Sequence, residues 1–293
     1  TGELWPVAAA TELAHRRGAR IFVDAAPLAP HVPIDIAAGD VDYLAMSGHK
    51  LYAPYGAGVL AGRADWLGQA DPFLRGGGAV DLVTLRDVLW TDLPDRQEAG
   101  TPNTIGAVAL GVACETLDGV GMGELEREER ELYAYARHRL AAIEGLTLYS
   151  IWPPDHPRLG ILTFNLRGLH HSLVAAALSA EHGVAVRHGC FCAHPLVMQL
   201  LDADEARIRD DLAGDDKRGV PGAVRISLGV GTTEVEIDAA AVALATLAEH
   251  GPRWSYRQDR HTGEYEPDPD PRTLPSLPFR LSEAAIHHRG ESS

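Results

Sequence analysis

The chain has 293 residues, is 45% hydrophobic, and sets 26 Lys and Arg against 41 Asp and Glu for a formal charge of −15. That length and apolar content suffice for one or two cored domains, and the acidic balance argues against holding nucleic acid or an anionic membrane through bulk charge. No apolar run approaches the roughly 20 residues of a spanning helix and no secretory signal opens the chain. Three cysteines, Cys114, Cys190 and Cys192, are too few for a disulfide framework and suit a reducing cytoplasm.

The opening Thr1–Pro6 lacks an initiator Met and runs straight into a helix, as expected of a chain cut from a longer one. Residues 6–17 read as that helix, with Pro6 near its start, an apolar face of Val7, Ala10, Leu13 and Ala14, and Gly18 as its end. Arg20–Asp24 is then a short buried strand with a carboxylate at its C-terminal end, so helix, glycine and strand form an α/β unit. Ligands of open α/β sheets sit beyond the carboxyl ends of the strands, where Asp24 is expected. A second strand at 41–46 brings Ser47-Gly48-His49-Lys50 to the same edge, and 55–61 reads as a third strand entered through glycines. Aromatic and apolar neighbours of Lys50 predict its desolvation, which disfavours the ammonium and suits a lysine that forms a Schiff base.

Two loops follow. Arg75-Gly76-Gly77-Gly78 reads as a flexible surface loop or, less specifically, a phosphate cradle. In Glu98–Thr104, Thr101 and Asn103 stand just ahead of an apolar helix at 105–118, a position that suits either an anion site or an N-cap. A charged amphipathic helix spans 123–143, with strands at 145–150 and 160–166 and a helix at 170–182. Residues 183–187 form a short strand that leads into His188-Gly189-Cys190-Phe191-Cys192-Ala193-His194-Pro195. Residues 202–222 read as an exposed loop, 224–228 as an alternating strand and 234–249 as a last helix. The proline- and charge-rich 251–293 is expected to be a mostly disordered tail.

Asp24 and Lys50 at neighbouring strand ends fit a pyridoxal 5'-phosphate site. That cofactor takes a lysine for covalent attachment and commonly a carboxylate beside its pyridine nitrogen. Ser47 and His49 are placed to hold the phosphate. A different reading uses His188, Cys190, Cys192 and His194, which share strand parity and could bind zinc as a metal-binding module. Ligands two residues apart on one flat strand cannot easily surround a single ion, which weighs against it.

The chain resembles the class V, fold type I pyridoxal-phosphate family, and within it the group II cysteine desulfurases and their actinobacterial relatives. The resemblance runs from residue 1 to about 249. It rests on Val-Asp-Ala-Ala at 23–26, Ser-Gly-His-Lys-Leu-Tyr-Ala-Pro at 47–54, Glu-Ala-Gly-Thr-Pro-Asn at 98–103, Cys-Ala-His-Pro at 192–195 and Val-Arg-Ile-Ser-Leu at 224–228. It implies an α/β fold: part of a fold type I large domain (1–115), with a mixed, mainly parallel sheet and helices, then a small α+β domain (116–250) and the tail (251–293). It implies that Lys50 carries the cofactor, Asp24 faces the pyridine nitrogen, and Ser47 and His49 hold the phosphate. Thr101 would reach the phosphate of a second subunit, making a homodimer.

By the same resemblance Arg225 holds the substrate carboxylate, for which a bidentate guanidinium is suited, with Arg187 as a second substrate-binding candidate. Cys192 is the nucleophile that takes sulfur from L-cysteine as a persulfide, leaving L-alanine; Arg187, His188 and His194 are the cations expected to favour its thiolate. A sulfur-acceptor protein is the implied partner and the cytoplasm the implied location. Pro27 replaces a glutamine that reaches the cofactor's ring hydroxyl, and Val230-Gly231-Thr232 replaces Tyr-Asn-Thr. Further phosphate donors and the aromatic that stacks on the ring are expected upstream of Thr1. Another class V reaction on a different amino acid, by an aminotransferase, lyase or epimerase, is the alternative within the family.

Overall fold

A computed structural model of the chain describes residues 1–273, and the end of the expected tail lies outside the described residues. The chain opens with α1 (Val7–Arg16), whose last turn carries His15 and Arg16 at the negative end of the helix dipole. The helix buries Thr11, whose hydroxyl donates to Val7 O (2.9 Å), while Leu13 of the expected apolar face is 52% exposed. β1 (Phe22–Asp24) pairs in parallel with β2 (Tyr43–Ser47), and β3 (Gly58–Gly62) lies antiparallel on the other side of β2. The sheet is therefore mixed, and the parallel pair sends the C-terminal ends of β1 and β2 to one edge. Buried Asp42 fixes the entry to β2 by accepting from Ile21 N (2.9 Å) and pairing with His15 Nε2 (2.8 Å), so its charge is not left unmet.

Two features before the next helix were not expected from the sequence. They are the short α2 (Ala64–Gln69) and a hairpin of β4 (Val80–Val83) with β5 (Val88–Trp90). α3 (Thr104–Val120) and α4 (Met122–Ala141) follow, joined through Gly121 at φ 100°. Among the described residues no single helix is long and apolar enough to cross a membrane.

A second sheet takes the order β6 (Leu146–Tyr149), β7 (Ile161–Leu166), β9 (Ala223–Ser227), β8 (Arg187–Gly189), antiparallel throughout. α5 (His171–His182) ends at Gly183 in the left-handed region, so β8 starts at Arg187 and not at 183 as expected; Val184 and Val186 instead pack on the core. Side chains alternate across a strand. Leu162, Phe164, Leu166 and Val224 therefore enter a core closed by α4, α5 and α8 (Glu234–His250), while Thr163 and Arg225 face away from it. A smaller buried cluster gathers Leu51, Ala53, Leu110, Leu117 and Leu125. α4 serves both, with Leu125 in the smaller cluster and Ala136 and Leu140 in the larger. Glu129 of α4 also joins them, accepting from Gly160 N (2.5 Å) and pairing with His31 (2.6 Å).

Two expectations are corrected. The segment 202–222 is not all loop: after α6 (His194–Leu200), Asp204 accepts from Ala206 N and Arg207 N (3.1 Å each) and caps α7 (Glu205–Ala213). This helix buries no residue, so no apolar period announced it. The tail is not disordered from 251. β10 (Tyr256–Gln258) and β11 (Tyr265–Pro267) form an antiparallel hairpin against α5, and Glu181 of α5 accepts from Arg253 N, Trp254 N and the Tyr256 hydroxyl. Backbone and side-chain hydrogen bonds order this segment where its composition offers little apolar surface.

Candidate active site

The first cluster of candidate residues is made by the ends of β1 and β2. Asp24 closes β1 opposite Ala45 and keeps its shape by accepting from Ala26 N through Oδ1 (2.9 Å). Beyond Ser47 the chain makes a tight 3-10 turn over Gly48–Lys50. Gly48 N donates to Ala57 O at 2.7 Å, and a Cβ on Gly48 would lie 2.7 Å from that same oxygen, so only glycine allows the approach. Ser47 Oγ and His49 Nδ1 are hydrogen-bonded at 2.8 Å.

Lys50 is exposed, contrary to the expected desolvation. Leu51 and Ala53 turn into the smaller core, while Tyr52 and Tyr55, both at positive φ, are 53% and 68% exposed. The aromatic flank thus does not bury the amine. Asp24 and Thr101 are exposed as well. Thr101 sits in a loop tied to the glycine triplet by Gly100 N donating to Gly77 O (2.8 Å). The triplet leads into β4 and opens no helix, so it lacks the helix terminus of a phosphate cradle. Asn103 is an N-cap: Oδ1 accepts from Gly106 N (3.0 Å) and Nδ2 donates to Tyr55 O (2.6 Å).

The second cluster lies on the face of the four-stranded sheet away from the helices. Register puts Arg225 between Thr163 of β7 and Arg187 of β8 on that face. The Arg225 guanidinium lies over the Phe191 ring at 4.9 Å, and its Nε is buried without a partner among the described residues. Burial and then the neighbouring Arg187 disfavour its charge, while Cys192 acts in the opposite sense. Cys192 is exposed at φ 60°, next to Phe191 at φ 53°. Guanidinium groups with no carboxylate partner among the described residues, beside an exposed thiol, can receive a small anion.

His188 is not one of the cations facing Cys192. It is opposite Val224 in register and so turns to the helix side, where its Nδ1 meets His171 Nδ1 (3.2 Å) and its Nε2 meets Glu264 (3.1 Å). Cys190 is also turned inward, donating to Pro221 O (3.3 Å), and burial pushes its thiol up. β8 ends at Gly189 (φ 102°), and the positive φ values that follow break the parity on which a zinc site would depend. Among the described residues no three His, Cys, Asp or Glu side chains come together to hold a metal.

The two clusters are linked by one bond that sequence reasoning missed: Val230 N donates to the Tyr52 hydroxyl at 3.1 Å. Tyr52 is two residues past Lys50 and Val230 five past Arg225, so the lysine turn is tied to the strand bearing the arginine. Phe191, Thr163, His171 and Glu264 were missed too. Strand alternation could have paired Thr163 with Arg225, but nothing in the sequence pairs Glu264 with His188.

The sequence model of the aminotransferase class-V family matches residues 1–240. A probable cysteine desulfurase of Halalkalibacterium halodurans is 39% identical over 249 residues, covering 85% of this chain and 56% of the relative. The crystal structure of the cysteine desulfurase CsdA (S-sulfonic acid) from Escherichia coli has a TM-score of 0.71 at 33% identity, covering 83% of this chain and 55% of that one. The apo cysteine desulfurase from Thermococcus onnurineus NA1 has a TM-score of 0.73 at 32% identity, covering 85% and 57%. The chain thus spans little more than half the length of these relatives. It belongs to the aminotransferase class-V family, and its α/β fold matches that of the solved cysteine desulfurases.

Proposed function

We propose that this member of the class-V aminotransferase family carries the lysine turn, the substrate arginine and the sulfur-accepting cysteine of a pyridoxal-phosphate-dependent cysteine desulfurase. Sulfur passes from L-cysteine to the Cys192 thiol; the substrate keeps the hydrogen and leaves as L-alanine, and the enzyme holds a persulfide. The observation that carries this reading is Arg225, whose buried Nε has no partner among the described residues, with exposed Cys192 near enough to favour its charge.

The residues present fit the cofactor in the chemistry of their donors. Lys50 offers an exposed amine, Asp24 a carboxylate with Oδ1 on Ala26 N, and Ser47 with His49 a hydroxyl and imidazole already in contact. Bound there, pyridoxal phosphate would supply an electron sink for bond breaking at the substrate's α-carbon. Lys50 would hold it and move a proton, Asp24 would face its pyridine nitrogen, and Thr101 would reach the phosphate of a second copy. Pro27 has no N–H or side-chain donor for the ring hydroxyl.

Arg225, with Arg187 beside it, receives the substrate carboxylate. Phe191 covers one face of the guanidinium and keeps water from it. The two arginines place positive charge beside the sulfur that must act as thiolate. Exposure of Cys192 leaves the persulfide open to an acceptor protein's thiol. A cytoplasmic homodimer is the assembly this reading calls for.

The test supplies the full chain with pyridoxal phosphate and L-cysteine and measures alanine and bound sulfur. Cys192→Ser is expected to abolish both, and Lys50→Ala to abolish the absorbance of the lysine-bound cofactor. Undiminished alanine from Cys192→Ser would overturn Cys192 as the sulfur acceptor, and no alanine from the parent chain would overturn the desulfurase assignment in favour of another class-V reaction.

A further inference from the structure

We propose that the C-terminal hairpin is a clasp on the strand that leads into the cysteine loop, and that Glu264 is its positioning residue, acting through His188. The family model matches residues 1–240, and this hairpin lies beyond the matched residues. β8 needs such support. It is three residues long and, among the described residues, lies at the edge of its sheet and pairs only with β9. A short edge strand has little of its own to hold it in place. Directly after it, Gly189, Phe191 and Cys192 all take positive φ, a sequence of turns that local propensity does not favour.

The hairpin is anchored to its surroundings in several places. Tyr265 N donates to the hydroxyl of Ser172, which is 1% exposed, and that hydroxyl donates to Glu264 Oε2 (2.8 Å). Lys217 N donates to Arg260 O (2.9 Å) and Gln258 Nε2 to Arg218 O (3.1 Å). Gly263, at φ 77°, packs so closely that a Cβ there would lie 2.7 Å from Lys217 O. These contacts border a half-open pocket of about 180 Å³ whose walls include His171, His188, Cys190 and Glu264.

The hydrogen bonds in that wall fix where protons must be. His171 Nε2 faces Val220 O (3.1 Å), which only accepts, so Nε2 carries the proton and Nδ1 of the neutral ring is an acceptor. His188 Nδ1, 3.2 Å away, must then donate. His188 Nε2 lies 3.1 Å from Glu264 Oε2, an ion pair when the ring is protonated. Glu264 is thus the carboxylate that the hairpin turns toward β8. The other titratable groups around this cavity are His170 of α5, His194 at the start of α6, and Lys217. The clasp thus grips β8 from the helix side and leaves Arg187 and Arg225 free on the other.

The experiment uses the full chain without cofactor. It measures iodoacetamide labelling of Cys190 and hydrogen exchange of 187–192 and of β7. In Glu264→Gln, labelling of Cys190 is expected to rise at least tenfold and exchange of 187–192 to quicken, with β7 unchanged. His188→Gln, which removes the other partner, is expected to loosen the same segment. Unchanged labelling and exchange, or a speeding that includes β7, would overturn the proposal. None of these readouts depends on turnover, so the clasp and the desulfurase reading fail separately.

Discussion

Acidification is expected to destabilise the fold through His171. Burial, followed by the charge of His170, pushes this histidine from 6.5 down to about 4. In the unfolded chain the same ring takes a proton near 6.5, so between 6.5 and 4 only the unfolded state is protonated. The stabilising contribution is complete above 6.5 and is lost as the pH falls toward 4. At about 1.36 kcal/mol per pH unit, the full loss is up to about 3 kcal/mol, a large part of the ordinary stability of a domain. Urea unfolding of the parent chain and of His171→Asn, at pH 7.5, 6, 5 and 4.5, isolates the effect. Asparagine retains a donor for Val220 O but does not titrate, and the carboxylates that titrate in this range are common to both proteins. The parent's advantage over the variant is expected to shrink steadily below pH 6.5. A difference independent of pH would refute the buried, neutral His171 from which the proton assignment of His188 follows.

The ion pair of Glu3 with Arg158 gives a second prediction. Both side chains are nearly inaccessible, at 1% and 3%, and Arg158 also donates to Trp152 O and Pro153 O. Arg158→Met should cost about 3–5 kcal/mol by stranding a buried carboxylate, read as a lower urea midpoint, and replacing Glu3 with Leu as well should recover much of it. Gly48→Ala should cost about 1–3 kcal/mol through overpacking against Ala57 O, read in the same way; an unchanged midpoint would mean that the lysine turn is not held by that close approach.

Helices were legible where an apolar period and a terminator coincided. α3, α4, α5 and α8 each present buried residues to a core and lie within a few residues of their expected bounds. α7 was not legible, because it buries nothing and rests on the Asp204 cap. The hairpin at 251–273 was hidden for a related reason: its links to Glu181 and Ser172 are long-range polar contacts, which leave no periodic trace. At the candidate site, residue types were readable but their surroundings were not. Nothing in Lys50-Leu51-Tyr52 shows that Leu51 turns inward and Tyr52 outward, because that depends on a positive φ at Tyr52. Likewise His188, close to Cys192 in sequence, is directed to the opposite side of the sheet.

The separation of His188 from Arg187 follows from the register that also builds the core. Val224 is fully buried beside Phe164, its partner in β7, and His188 is its partner in β8. A slip of one residue in β9 would drive Arg225 into the apolar core and expose Val224. Alternation makes every such slip an exchange of faces, and burying an unpaired guanidinium costs several kcal/mol. The same burial that stabilises the sheet therefore holds Arg225 next to Arg187 and Thr163 on the open face. It also delivers His188 to His171 of α5 and to Glu264 of the hairpin. The Tyr52–Val230 hydrogen bond then ties the lysine turn to the segment that follows β9.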